Sequence, residues 1–228
     1  MTKPLTIASA FLSLLVLLLV VLGLVFLRTP YDPQATPLLF DPPPPDLQRT
    51  IEHHSAGNIT TFTKTSHDTD GAYTLLDIEL APGGENAPHY HGAFTEIFHA
   101  QSGTLGLTLD DDEYLLEEGE TARAEPGTSH NFFNPSDESI HFQVRIEPAH
   151  TGFERALYLL YGLDRDGQVD DDGFDDIRHA ALFIMMSDTH GDGALRLLRP
   201  LLNRIAGRAQ QQGLEQELLQ RYVVDDPP

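Results

Sequence analysis

His89, His91, Glu96 and His130 are the side chains of this sequence best placed to do chemistry together. Residues 83–103 carry two histidines separated by a single tyrosine, then Glu96 five positions after the second histidine. A later stretch, residues 119–134, supplies a third histidine at His130. Alternate side chains of a β-strand share a face, so His89 and His91 can both point into one cavity. Three imidazole nitrogens and one carboxylate oxygen suit a borderline divalent transition metal such as Fe, Mn, Ni, Cu or Zn. Such a set leaves coordination positions open, which is what catalysis or ligand binding at the ion requires.

The elements that must position these residues read as short strands. Between residues 53 and 147, runs at 59–65, 72–80, 96–100, 104–109, 113–116, 121–124, 130–133 and 139–146 are separated by turn residues. Asp110-Asp111-Asp112 is a solvated hairpin tip. If Glu96 points inward, alternation turns Phe98 inward with it and leaves Ile97 and His99 outside. The same rule puts Phe132 inside beside His130, giving a partly apolar pocket with the metal as its polar anchor. The last strand offers two faces. Ile140, Phe142, Val144 and Ile146 suit the core; were the other face inward, Arg145 would be free to pair with a substrate carboxylate.

The two histidine-bearing stretches resemble the cupin family. In its first motif a glycine is followed by His-x-His, a glutamate and a second glycine; Gly83, His89, His91, Glu96 and Gly103 match these positions. In its second motif a histidine is followed four residues later by asparagine, matched by His130 and Asn134. The family's proline falls at Glu125, whereas this chain has Pro126-Gly127, read as the same tight turn moved by one residue. The resemblance covers roughly residues 51–149 and implies a mainly β fold, a double-stranded β-helix or jelly-roll barrel. At that spacing the histidines are read as ligands rather than ordinary strand residues. Glu96 is a fourth ligand, a hydrogen-bond partner of metal-bound water, or a general base, and Asn134 supports the turn.

Residues 6–27 carry no charge, and 22 helical residues would rise ~33 Å, enough to cross a bilayer core. Phe26-Leu27-Arg28 ends the stretch without the small residues of a cleavage site, so an N-terminal transmembrane anchor over 1–28 is expected rather than a signal peptide. Lys3 and the α-amino group against the single Arg28 place the barrel outside the cytoplasm. Residues 29–47, with prolines at 30, 33, 37 and 42–45, read as a stiff tether holding the barrel away from lipid. The barrel itself is assigned to 48–149 and a helical extension to 150–228.

That extension opens with Thr151-Gly152-Phe153-Glu154, a capping-box pattern, followed by apolar residues at helical spacing. Residues 164–176 read as a flexible acidic connector without calcium-loop register, and 177–186 as a second helix. Residues 161–167 look like the helical extension of a group of bacterial cupins. In residues 194–209, leucines interleave with Arg196, Arg199, Arg204 and Arg208; the preferred reading packs the leucines on neighbouring helices, against a membrane-surface helix. Pro200 should begin or kink this helix.

Composition closes off other classes. Net charge is −21, with two lysines against twelve arginines, so a nucleic-acid partner would be repelled. The Asp-rich, Lys-poor balance is first a solvated surface, and it also suits a protein kept hydrated at high salt. There is no cysteine, which removes disulfides and thiolate chemistry. Asn58-Ile59-Thr60 is a glycosylation sequon by pattern, read as chance. Two functions stay open: a metal-dependent enzyme, such as a non-haem dioxygenase on a small organic substrate, and a non-catalytic metal-dependent binding or sensing module. Homodimerisation fits either.

Overall fold

The structure is a computed structural model that describes residues 30–35, 47–170 and 173–228. The apolar stretch 6–27 lies outside the described residues; among those described, no helix is long and apolar enough to cross a membrane.

Two antiparallel sheets face each other. The six-stranded sheet has the order β1-β2-β3-β10-β5-β8, built from Thr50–His53 (β1), Asn58–Lys64 (β2), Thr74–Leu80 (β3), Ile140–Glu147 (β10), Thr95–Ser102 (β5) and Thr121–Ala124 (β8). The five-stranded sheet has the order β13-β4-β9-β6-β7, from Thr189–Gly191 (β13), His89–His91 (β4), His130–Phe133 (β9), Leu105–Leu109 (β6) and Asp112–Leu116 (β7). Val169–Asp170 (β11) and Gly173–Phe174 (β12) form a separate small hairpin.

Alternation builds the core. In β10, Ile140, Phe142, Val144 and Ile146 are buried, and in β3 Leu76, Ile78 and Leu80 are buried opposite them in register. This orientation sends Arg145 outward, where its guanidinium lies 4.1 Å from the Tyr73 ring centroid and 3.3 Å from Glu147. The alternative in which Arg145 enters the cavity is thereby corrected: four apolar side chains on one face outweigh one ion pair on the other.

Beyond β10 the described residues form the α-helices α1 (Thr151–Arg165), α2 (Ile177–Ser187), α3 (Arg199–Gln211) and α4 (Leu214–Leu219), with β11, β12 and β13 between them and a π-helical turn at Gln220–Asp225 after them. α1 lays Tyr158 over Phe62 with ring centroids 5.2 Å apart and buries Phe153 against Phe94. Its cap differs from the expected box. His150 is the N-cap, its Nδ1 accepting from Phe153 N–H at 3.0 Å. Glu154 instead ties the helix to the barrel by accepting from Ser66 N–H, Ser66 Oγ and Thr74 Oγ1. Tertiary partners won over the local motif.

Residues 164–176 are not a free connector. Asp164 is buried and accepts from the N–H groups of His54 and Ser55, and the hairpin β11–β12 occupies much of the remainder. Asn58 is buried and accepts from Tyr161 Oη at 2.6 Å, which removes it as a glycosylation acceptor. The leucine-arginine stretch divides in two. Residues 193–198 form a 3-10 turn, and Pro200 sits in the first turn of α3, beginning it. Leu195, Leu197, Leu198 and Leu201 are exposed, Leu197 to 82%, while Leu202 and Ile205 pack on the core. The expectation that all these leucines are covered by neighbouring helices is therefore corrected.

The start of the proline-rich segment is held to the helices. Tyr31 is buried, donates its N–H to Asn203 and its hydroxyl to Glu215 at 2.8 Å; Asp32 N–H donates to Gln210. Residues 36–46 lie outside the described residues.

Candidate metal centre

β4, β5 and β9 bring the predicted residues to one point. His89 and His91 leave β4 on the same face, His130 heads β9 directly opposite His89, and Glu96 stands near the start of β5 in the facing sheet. One ligand atom from each lies within 4.8 Å of every other. His130 Nε2 is 2.7 Å from Glu96 Oε2, His91 Nε2 is 3.7 Å from that oxygen, and His89 Nε2 is 3.1 Å from His91 Nε2.

The backbone decides how these rings are protonated. His89 Nδ1 lies 2.8 Å from Ala87 O, His91 Nδ1 3.1 Å from Asp188 O, and His130 Nδ1 3.0 Å from Thr128 O. A carbonyl oxygen only accepts, so each Nδ1 carries the proton and each Nε2 faces the cluster. Burial, then the neighbouring imidazoles, lower the pKa of His89 to about 3. Burial also lowers His91, to about 4, against the pull of Glu96. Both rings are thus neutral at pH 7, and their Nε2 lone pairs face each other at 3.1 Å. Two lone pairs at that distance repel unless a cation lies between them.

Glu96 stays ionised. Burial alone would raise its pKa, but the charges of His91 and His130 and the hydrogen bond from His130 bring it to about 2. Burial likewise opposes charge on His130, yet the Glu96 hydrogen bond and charge prevail and raise its pKa. The donor set of three nitrogens, one anionic oxygen and three carbonyl-oriented rings fits a divalent transition metal, and the carbonyls are the outer partners such ligands require.

The turn before His130 follows the sequence reading. Gly127 adopts φ +91° after Pro126, Thr128 N–H donates to Glu125 O, and Gly127 N–H donates to His91 O, linking the turn to β4. Asn134 is buried and supports a loop, donating to Leu80 O and Glu138 O. Phe98 is buried with its ring 5.9 Å from that of His130, and Phe132 meets Phe142 edge-on with ring centroids 5.1 Å apart. Both line a cavity of about 1140 Å³ that also receives His89 and Glu96. His99 lies off the cluster, bonded to Gln101.

What the sequence reading missed is the part played by residues beyond 149. β13 pairs with β4 along Thr189↔His91, His190↔Tyr90 and Gly191↔His89, so a strand from the helical extension completes the sheet that carries His89, His91 and His130. Asp188, at φ +56°, supplies the carbonyl for His91, and its carboxylate accepts from Gly92 N–H and Ala93 N–H at 2.7 Å each and from His190 Nε2 at 2.7 Å. The signal was faint: Ser187-Asp188-Thr189 after a helix reads as a turn, and three residues are too few for a periodicity.

Two facing antiparallel sheets around an inward cluster of three histidines and a glutamate define a jelly-roll β protein with a candidate metal centre. Residues 76–146 match the family described as Cupin domain, a segment that holds all four cluster residues. Among curated proteins there is no match. Similar solved structures include a sugar phosphate isomerase of the cupin superfamily from Silicibacter pomeroyi, 22% identical over 42% of this chain and 62% of its own, with TM-score 0.38. An RmlC-like cupin from Shewanella frigidimarina is 18% identical over 46% of this chain and 89% of its own, with TM-score 0.40. The polyketide cyclase RemF from Streptomyces resistomycificus is 20% identical over 45% and 74%, with TM-score 0.39. The chain thus spans less than two thirds of the isomerase's length.

Proposed function

We propose that this protein holds one divalent transition-metal ion through His89, His91, His130 and Glu96 and uses it on a small organic molecule in the adjoining cavity. The reading is carried by the lone pairs of His89 and His91 aimed at each other at 3.1 Å, with both Nδ1 protons committed to backbone carbonyls. A bound ion would act as a Lewis acid or redox centre for the ligand. The chain's own part is to orient three imidazoles and to supply Glu96, as fourth ligand or as the base that accepts a substrate proton. Oxygenation of the bound molecule is the enzymatic form of this proposal.

The non-catalytic form has its own support. Tyr161 on the cavity wall is pushed up to about 12 by burial and is bonded to Asn58 and Thr60, so it is no proton source near neutrality. Glu96 is then the carboxylate that the cluster itself contains. Metal analysis of the full chain should find about one ion per protein, and His130→Ala should lose it; full occupancy in that variant refutes the site. Oxygen consumption with enediols and phenols then separates enzyme from binder.

We further propose that residues 1–28 anchor the protein in a membrane with the barrel outside the cytoplasm, on the strength of the uncharged run 6–27 and the Lys3–Arg28 asymmetry. Protease should digest residues 48–228 from the outside of intact cells; protection there reverses the orientation.

A further inference from the structure

Tyr31 fixes where the preceding chain leaves the body. It is buried, and its N–H reaches Asn203 Oδ1 at 2.8 Å and Asn203 O at 3.1 Å. Its hydroxyl donates to Glu215, and Asp32 N–H donates to Gln210. Asn203 and Gln210 belong to α3, so residues 31 and 32 are tied to that helix. The uncharged run 6–27 ends only a few residues before Tyr31. Four residues, from 27 to 31, span at most ~14 Å when fully extended. The headgroup layer on each side of a bilayer core is itself about 5–8 Å thick. A body tied at Tyr31 therefore cannot stand clear of a bilayer that residues 6–27 cross.

The surface beside that tie is apolar. Leu195, Leu197 and Leu198 in the 3-10 turn and Leu201 at the start of α3 are all exposed. Leu198 and Asn203 are separated by ~8 Å along a helix axis. Elsewhere among the described residues, exposed large apolar side chains come singly or as the pair Tyr114–Leu115. Scattered leucines on a surface are ordinary, whereas a group of them marks a contact. The same stretch also reverses the charge of the molecule. From 193 to 212 the chain has Arg196, Arg199, Arg204 and Arg208 and no acidic residue, in a protein of net charge −21. Leucines flanked by arginines are what a helix at an anionic lipid surface presents. A second copy of this acidic chain would instead add repulsion.

We infer that the exposed leucines of residues 195–201 seat in the headgroup region of the bilayer on the barrel's side, with Arg199 and Arg208 against anionic headgroups. The position of the lipid rests on the anchor proposed for residues 1–28; the choice of face rests on the leucines and arginines. Asp32 is bonded to Gln210 and Leu47 packs on the core, so the prolines at 33, 37 and 42–45 join two points of the body. They do not set its distance from lipid.

The chain contains no tryptophan, so Leu197→Trp places one fluorophore on the patch. Leu115→Trp places one on β7, at the opposite edge of the five-stranded sheet from β13. Both leucines are exposed, so neither change disturbs the core. Each full-length variant is assembled into nanodiscs of three parts phosphatidylcholine to one part phosphatidylglycerol, and lipid association is read by co-elution. The indole at 197 should be quenched by phosphatidylcholine brominated near the headgroup end of its acyl chains and shielded from aqueous acrylamide. The indole at 115 should show the reverse. Adding Arg199→Glu and Arg208→Glu should cut the lipid quenching at 197 by at least about half while co-elution persists; unchanged quenching overturns the arginine contact. Co-elution with the indole at 197 open to acrylamide keeps the anchor and overturns the docking. Co-elution with that indole shielded yet unquenched by lipid means that protein covers the patch, a second copy or residues 6–27, and also overturns it. A chain that elutes apart from the nanodiscs removes the anchor and the inference together.

Discussion

At the scale of residues, the four cluster side chains form one titrating unit. With its Nδ1 bonded to Thr128 O and its Nε2 to Glu96, His130 in the metal-free cluster holds both protons, which is what its raised pKa expresses. A metal ion must displace the inner proton. Calorimetry in buffers of different ionisation enthalpy should therefore record close to one proton released per ion near pH 6, and fewer as pH rises through the folded pKa of His130. A pH-independent count of zero contradicts this protonation scheme. His89 and His91 give the opposite dependence in the metal-free protein. Their folded values, about 3 and about 4, lie below the ordinary 6.5, so the unfolded chain takes up their protons first as pH falls. Below pH 6.5 each should cost about 1.4 kcal/mol of stability per pH unit until its folded pKa is reached. Urea unfolding between pH 7 and 4 should show this slope, and His89→Gln should flatten it; an unchanged slope would mean that His89 is solvated. These four residues were legible in the sequence because strand alternation puts His89 and His91 on one face and the motif resemblance adds Glu96 and His130 to them. Their protonation was not, because it depends on carbonyls at Ala87, Thr128 and Asp188.

At the scale of elements, the helical extension is bound into the barrel through β13. Asp188 holds the Gly92–Ala93 backbone, orients His190 and lends His91 its carbonyl. Asp188→Ala should cost about 2 kcal/mol of stability and at least tenfold in metal affinity, the scale expected when an outer partner of a ligand is lost. Asp188→Gly, which tolerates the positive φ, separates lost hydrogen bonds from backbone strain; recovery of metal affinity in it would assign the effect to strain. α1 packs equally tightly: a Cβ on Gly162 would lie 2.2 Å from the Tyr222 ring. Gly162→Ala should lower the melting temperature by several degrees despite alanine's better helix propensity, since overpacking of this kind costs about 1–3 kcal/mol. A raised melting temperature would mean that α1 and the C-terminal turn are loosely joined. Most barrel strands were readable from alternation. β13 was not, since Thr189-His190-Gly191 carries no pattern and exists as a strand only because β4 offers it an edge.

At the scale of the whole molecule, net charge −21 is a global term that no single pair relieves. Self-repulsion of carboxylates should ease as salt screens them, so the melting temperature should rise between low and molar salt. A flat response would place the acids too far apart to matter and remove the case for a high-salt habitat.

The sequence by itself determined most of the barrel's strands and the four residues of the cluster, because side-chain periodicity and motif spacing are local properties of the chain. Only tertiary structure decided that Arg145 faces away, that Glu154 serves the barrel rather than its own helix cap, and that Asp188 completes the site. Those outcomes turn on which groups meet across distant segments: competition among buried surfaces and hydrogen-bond partners selects one arrangement from several that the local pattern allows.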